Sequence, residues 1–121
     1  MSTIKDKNLA TIGQQEVDWA ARQMKVLEEI KTEFSSSKPL NGLNIGACMH
    51  VTKETANLML TLKAAGANVA LCASNPLSTK DSVAAYLSEN DIEVHAVHGV
   101  SNDDFFKHLN SVLDTKPDIT M

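Results

Sequence analysis

The sequence predicts an α/β protein built on a doubly wound parallel sheet, and two observations lead to this prediction. Short apolar segments typical of strands alternate along the chain with segments that have the apolar periodicity of helices, which is the pattern of βαβ units. Residues 68–72 are almost continuously apolar, as expected for a strand covered by helices on both faces. We therefore expect a three-layer sheet of the Rossmann-like or flavodoxin-like type, preceded by a long N-terminal helix.

The first element is a long amphipathic helix predicted over residues 13–34. Its apolar side chains recur at steps of three, four or seven and form one stripe, which should be buried: Val17, Ala20, Met24, Leu27 and Phe34. Three serines followed by lysine and proline at 35–39 end the pattern as a loop does. Strands then follow at 43–48, 68–72, 93–97 and 117–121, separated by helices at 53–65, 78–90 and 102–113.

Length and composition indicate a single domain over residues 1–121 and exclude several classes of partner. The net charge of −4, without clustered Lys and Arg, argues against nucleic acid and anionic membrane surfaces. No apolar run approaches the ~20 residues that span a bilayer, and the N-terminus lacks a signal-peptide pattern, which predicts a cytoplasmic protein. Cys48 and Cys72 are expected to be buried free thiols, and no residues have metal-ligand spacing.

A polar site is expected at the carboxyl edge of the sheet, because open parallel sheets bind ligands beyond the carboxyl ends of their strands. Three predicted loops meet at that edge and bring a histidine, hydroxyls, an amide and two carboxylates from the following helix starts. These side chains belong to His50, Thr52, Glu54, Asn75, Ser78, Thr79 and Asp81.

Each of these residues also has a purely structural interpretation. Thr52 and Ser78 are good N-cap residues, and residues 78–81 fit a capping box that starts at Ser78. Glu54 is favoured in a first helical turn by the helix dipole. His50 follows a strand and is a candidate acid or base. The other histidines, His95, His98 and His108, are expected at the surface or at an edge.

Several catalytic and cofactor motifs are absent. No glycine-rich dinucleotide fingerprint, phosphate-binding P-loop or nucleophile elbow occurs in the sequence. The residues by themselves therefore predict a polar ligand edge without a complete catalytic set and without a cofactor site.

Two motifs resemble those of the S-adenosylhomocysteine hydrolase family. Residues 46–56, GACMHVTKETA, resemble a strand–loop–helix motif of the family that is close to GCLHMTxxTA. Residues 74–81, SNPLSTKD, resemble its second motif, close to CNxxSTQD, and KPLNG at 38–42 matches the family's entry to the first strand. The resemblance covers nearly the whole chain.

The resemblance implies a reversible hydrolysis of S-adenosyl-L-homocysteine to adenosine and L-homocysteine. In the family, NAD bound by a separate Rossmann domain oxidises the ribose 3′-hydroxyl, and that domain is absent here. The full-length protein is expected to be a homo-oligomer. By the resemblance, His50 is the acid/base residue near the reacting ribose carbons, and we expect it to be buried and neutral. The expected substrate-binding residues are Thr52, Glu54, Thr55, Asn75, Ser78, Thr79 and Asp81, with Glu54 at the adenine edge.

The sequence departs from the family pattern at Lys80, where glutamine is common, and at its end, before an acidic, glycine-rich turn that supplies another aspartate. An end inside an apolar strand favours truncation. The chain alone is therefore expected to be inactive, and its exposed apolar edge to favour self-association. Two alternatives remain: part of an S-inosylhomocysteine hydrolase, with Glu54 and Lys80 deciding the purine, or a stand-alone, non-catalytic module for nucleoside binding or assembly.

Overall fold

The computed structural model describes all 121 residues and confirms the parallel α/β architecture. Four parallel strands have the spatial order β3-β2-β1-β4. A short 3₁₀ turn at Lys7–Leu9 precedes five α-helices. In chain order the elements are α1 (Ala10–Ala21), α2 (Lys25–Ser37), β1 (Asn44–Met49), α3 (Lys53–Ala64), β2 (Asn68–Ala73), α4 (Asp81–Glu89), β3 (Glu93–His95), α5 (Asn102–Asp114) and β4 (Ile119–Thr120).

Helices cover both faces of the sheet, as the apolar character of β2 predicts. Val69 and Leu71 belong to the main core, which includes residues of α3 and α4. Ala70 and Cys72, whose side chains alternate with these, pack with Val112 of α5 on the opposite face. The period of two along one strand therefore separates two apolar layers.

The strand register brings the ends of the strands level with one another. β1 pairs with β2 from Asn44↔Asn68 to Met49↔Ala73, and β3 continues the pairing at Cys72↔His95. Because all of these strands are parallel, the loops that follow β1, β2 and β3 leave the sheet at one edge. This edge is the one at which the sequence places the site.

The prediction of one N-terminal helix over residues 13–34 is wrong. Two helices occupy this region, and Met24 between them has φ −112° and ψ 57°, outside the helical range. Val17 and Ala20 of α1 are buried, whereas no residue of α2 is fully buried. The bend lets α2 turn and pack against α3. The apolar period continues across the break, so the sequence pattern does not reveal it.

A close approach between α1 and α4 depends on Gly13. A Cβ atom at this position would overlap the carbonyl group of Ser82 on α4. Only glycine therefore allows the two helices to pack at this distance, which fixes α1 over the outer side of α4 and α3.

The expected burial of the two cysteines is only half right. Cys72 is buried, but Cys48 is exposed. Both face the α5 side of the sheet, because they occupy the same register position on β1 and β2. Val112 of α5 packs with Ala70 and Cys72 of β2, in a buried cluster that does not include Cys48 of β1. Cys48 therefore remains exposed although it lies on the face that α5 covers.

The expectation of histidines at the surface or at an edge is wrong for His108, which is 7% exposed, whereas His95 lies on the edge strand β3 but is only 5% exposed. Their ring centroids lie 6.5 Å apart, because α5 packs over β2 and its neighbours on the face of the sheet to which His95 points. His95 also hydrogen-bonds through Nε2 to Glu93 Oε1 at 2.8 Å and through Nδ1 to Thr3 Oγ1 at 3.0 Å. The N-terminal segment lies alongside β3, which covers this edge of the sheet, and His98 is exposed as expected.

Candidate functional site

Backbone hydrogen bonds join the three loops at the carboxyl edge of the sheet. Val51 donates its N–H to Ser78 O at 2.8 Å, and Lys80 donates to Val51 O at 2.9 Å. Gly99, in the loop after β3, donates to Pro76 O at 2.8 Å. The loops after β1 and β2 are thus held together as a short parallel bridge, with the third loop fastened to the second.

The turn from β1 into α3 places two threonines and a glutamate on the first helical turn. Thr52 is the N-cap, as predicted, and its Oγ1 accepts the N–H of Thr55 at 3.5 Å. The Thr52 hydroxyl also lies 3.4 Å from the Thr55 hydroxyl. Glu54 is exposed in the same turn, with Lys53 Nζ 3.8 Å from its carboxylate. The Thr52 hydroxyl therefore has a structural role as the cap of α3. The Glu54 carboxylate in the same turn is exposed to solvent.

The predicted capping box at residues 78–81 is wrong. Helix α4 begins at Asp81, and its N-cap residue is Lys80, whose side chain makes no capping bond. The Ser78 hydroxyl instead donates to Asn75 O at 3.1 Å and accepts the N–H of Asn75 at 3.2 Å. Asn75 Oδ1 accepts the N–H of Leu77 at 2.9 Å. These polar groups form hydrogen bonds within the loop after β2, because the chain folds back on itself before α4 begins.

Thr79 is the one residue of the site with an unsatisfied buried group. Its side chain is 7% exposed, and Oγ1 has no hydrogen-bond partner. A buried hydroxyl without a partner carries a desolvation cost of roughly 1–3 kcal/mol.

The expectation that His50 is buried is wrong, since the residue is exposed. Its neighbour Val51 is fully buried and belongs to the main core. Because successive side chains of an extended chain point in opposite directions, the burial of Val51 turns the His50 imidazole outward. His50 thus stands at the open rim of the carboxyl edge, two residues before Thr52 in the chain.

Asp81 is occupied with the third loop. Its Oδ1 accepts the N–H of His98 at 3.0 Å, and Oδ2 lies 3.7 Å from Lys5 Nζ. This carboxylate therefore fastens the loop after β3 to the start of α4, and the N-terminal segment beside it.

Two depressions meet at Glu54. An apolar groove of about 730 Å³ runs between α2 and α3. A polar recess of about 280 Å³ lies on the other side of Glu54. The groove is lined by Gln23, Met24, Lys25, Val26, Leu27, Ile30, Met49, Glu54, Thr55 and Leu58. The recess is lined by Glu16, Thr52, Lys53, Glu54 and Lys80.

The sequence reasoning missed the contributions of α1 and α2 to these depressions. Met24 and Leu27 were expected in the core, but they are half-buried and form one wall of the apolar groove. Glu16 of α1 lines the polar recess, where Ser82 Oγ donates to Oε2 at 3.0 Å and Lys80 Nζ lies 3.6 Å from Oε1. The apolar spacing of α2 was visible in the sequence, but nothing local distinguishes Glu16 from other surface acids.

The fold and the joined polar loops define a Rossmann-like α/β domain, a class in which ligands bind at the carboxyl edge of the sheet. None of its helices has both the length and the apolar character needed to cross a bilayer. The chain belongs to the S-adenosyl-L-homocysteine hydrolase family, whose model matches residues 1–121. This confirms the family resemblance of the two motifs.

Curated relatives agree with the family. An adenosylhomocysteinase of Aquifex aeolicus is 49% identical over 119 residues, and one of Sulfolobus acidocaldarius is 47% identical over 118 residues. An adenosylhomocysteinase of Pyrococcus abyssi is 44% identical over 116 residues. These alignments cover 96–98% of this chain but 28% of each relative. The chain therefore spans a little over a quarter of the length of the relatives it matches.

Proposed function

We propose that this chain supplies part of the site that binds the adenosine moiety of S-adenosyl-L-homocysteine, in a protein that hydrolyses this thioether reversibly to adenosine and L-homocysteine. The observation that carries the proposal is the position of Glu54 at the junction of the apolar groove and the polar recess. A purine nucleoside has a flat apolar ring with polar edges and a polyhydroxylated sugar, and this combination of surfaces complements it.

The residues around Glu54 suit distinct parts of such a ligand. The Glu54 carboxylate would accept a hydrogen bond from the exocyclic amine of adenine, while Met49 and Leu58 contact the ring. Thr52 and Thr55 hydroxyls flank the carboxylate and would orient the nucleoside. The Thr79 hydroxyl, buried without a partner, would gain one from a ligand at this edge.

His50 would act on the sugar as a proton carrier. Its imidazole is at the open rim, two residues before the α3 N-cap, where a ribose attached to a ring beside Glu54 would lie within reach. Histidine exchanges protons near neutral pH, as the removal and return of a ribose proton requires.

The residues present do not fit the NAD that the family implies. The turn between β1 and α3 contains no glycine, and a threonine hydroxyl caps the first turn of α3, where a dinucleotide site would present free N–H groups to a pyrophosphate. We assign NAD binding to the part of the longer family proteins that these 121 residues do not match.

Binding of adenosine tests the proposed site. Millimolar adenosine, followed by backbone NMR shifts, should perturb residues 49–55 and 74–80 in a saturable way. His50→Ala and Glu54→Gln should weaken the binding several-fold, whereas Glu29→Gln, an exposed acid on α2, should not. Shifts that are absent, or that lie away from this edge, would contradict the proposal.

The same NMR titration compares the binding of adenosine with that of inosine. The 6-oxo group of hypoxanthine presents lone pairs to the Glu54 carboxylate, which repels them, whereas the 6-amino group of adenine donates. Lys80, a cation that would favour a 6-oxo group, is paired with Glu16 at 3.6 Å. We therefore expect adenosine to bind more tightly, and tighter binding of inosine would favour the S-inosylhomocysteine alternative.

The chain by itself is expected to leave S-adenosyl-L-homocysteine uncleaved, with or without added NAD. It offers His50 for proton transfer, but none of its side chains can accept a hydride. It also has no phosphate-binding loop that could hold a cofactor able to accept one. Chromatographic detection of adenosine release measures this, and any turnover by the purified 121-residue chain would refute the expectation.

A further inference from the structure

Cys48 and Cys72 form a pair of thiols across the strand interface. They occupy the same register position on β1 and β2, so their side chains point to the same face of the sheet. Cys48 Sγ donates to Ala73 O at 3.6 Å, and Cys72 Sγ donates to Ala47 O at 3.6 Å. Each thiol thus leans across toward a carbonyl of the other strand, on the same face of the sheet.

The strand spacing permits a covalent bond between these sulfur atoms. Neighbouring strands lie about 4.8 Å apart, which falls within the roughly 4.4–6.8 Å that separates the Cα atoms of disulfide-bonded cysteines. The Cα–Cβ bonds of parallel register neighbours run side by side instead of converging. A disulfide here would therefore be strained, and strained disulfides are the ones that thiols reduce easily.

The two thiols differ in access to solvent. Cys48 is exposed, whereas Cys72 is 1% exposed. Burial, together with the adjacent Cys48 thiol, raises the pKa of Cys72 to about 12. A dissolved oxidant therefore reaches Cys48 first, and Cys72 is a protonated thiol held beside it.

We propose that Cys48 and Cys72 are a redox modification site, at which a hydroperoxide produces a reversible disulfide between β1 and β2. The Cys48 thiolate attacks the peroxide oxygen, the O–O bond breaks, and an alcohol or water leaves as Cys48 becomes a sulfenic acid. The Cys72 thiol then loses its proton, its sulfur attacks the Cys48 sulfur, and the S–O bond breaks as hydroxide leaves and takes up a proton to form water. Two thiols are oxidised and one peroxide is reduced.

The modification would act on the carboxyl edge of the sheet. Cys48 lies two residues before His50, and Cys72 two residues before Ser74, where the loop after β2 begins. A bond between them would fix the ends of the two strands that carry the joined loops. This inference stands on the thiol geometry alone and does not depend on the proposed nucleoside site.

Intact-mass spectrometry tests the proposal. The folded chain, treated at pH 8 with a small excess of hydrogen peroxide, should lose two hydrogens from one molecule, and dithiothreitol should restore them. Peptide mapping should join Cys48 to Cys72. Accumulation of Cys48 sulfinic acid, or of disulfide-linked dimers without the internal bond, would overturn it.

Single-cysteine variants and pH distinguish the two roles. With dimedone present, Cys72→Ser should accumulate the Cys48 sulfenic adduct, whereas Cys48→Ser, a change at an exposed position, should leave Cys72 unmodified. Because closure needs the Cys72 thiolate, the ratio of disulfide to adduct in the unaltered chain should rise about tenfold per pH unit between pH 7 and 9. A ratio independent of pH, or a reactive Cys72 in Cys48→Ser, would contradict the proposal.

Discussion

At the scale of single residues, Thr79 combines deep burial with an unsatisfied hydroxyl. Valine has the same shape without the hydroxyl, so Thr79→Val removes the buried polar group and leaves the packing in place. We expect thermal unfolding to show an increase of about 1 kcal/mol in stability, together with weaker adenosine binding. This result would indicate a hydroxyl kept for a ligand at a cost in stability.

A second buried threonine provides the control. Thr61 Oγ1 donates to Asn57 O at 2.8 Å within α3, so Thr61→Val loses a satisfied hydrogen bond and should destabilise the chain by about 1 kcal/mol. Destabilisation by Thr79→Val of a similar size would mean that its hydroxyl already has a partner in solution.

His108 makes the stability depend on pH. Burial lowers the pKa of its imidazole, and the neighbouring His95 lowers it further, while Asp104 opposes the shift. The unfolded chain takes up the proton near pH 6.5, before the folded chain does, so protons favour unfolding. Neutral His108 therefore makes its full contribution to the free energy of unfolding above pH 6.5. This contribution is lost as the pH falls toward the lower pKa of His108 in the folded chain.

Variants isolate this contribution. Thermal midpoints at pH 7.5 and pH 5.5 should differ less in His108→Gln than in the unaltered chain. His98→Gln, a change at an exposed histidine, should keep the full difference. An equal pH dependence in His108→Gln would contradict this assignment.

At the scale of elements, the packing of α1 on α4 depends on the missing side chain of Gly13. A Cβ atom would overlap backbone atoms of Ser82, which cannot move without displacing α4. Gly13→Ala should therefore lower the free energy of unfolding by about 3 kcal/mol, although alanine is the better helix former. Chemical denaturation measures this, and Gln14→Ala, the next, exposed position, should be neutral or slightly stabilising.

The packing of α1 also affects the candidate site. Glu16, one turn beyond Gly13, binds Ser82 Oγ and Lys80 Nζ in the polar recess. Displacement of α1 would remove both contacts, so Gly13→Ala should weaken adenosine binding although Gly13 contacts no ligand. Unchanged binding in a folded Gly13→Ala chain would show that the recess does not contribute.

At the scale of the whole molecule, β4 is an edge strand with exposed apolar side chains. Ile119 and Met121 are 47% and 45% exposed, and the outer side of β4 has no neighbouring strand. Exposed edges of this kind pair with other chains. We expect the 121-residue chain to self-associate with increasing concentration, as sedimentation velocity would show.

Lysine substitutions locate the associating surface. Ile119→Lys places a charge on the edge strand and should shift the chain toward monomer. Ile12→Lys changes an equally exposed apolar residue on α1 and should leave the association as it was. A reduction by Ile12→Lys alone would place the contact on the helical face instead.

Local signals in the sequence determined the order of the elements and the edge at which the site lies. The alternation of strand and helix patterns and the N-cap at Thr52 each depend on neighbouring residues only. Because every predicted strand is parallel, the three loops had to meet. The two motifs at residues 46–56 and 74–81 identified the family for the same reason, as each is a continuous stretch of chain.

Only the tertiary structure decided how individual side chains are placed. Packing on α3 bends the N-terminal region into two helices, α5 buries His108 against His95, and the burial of Val51 turns His50 outward. The exposure of Cys48 could not be predicted for the same reason. These outcomes depend on contacts between residues far apart in the chain, and periodicity along one element carries no information about what the other elements cover.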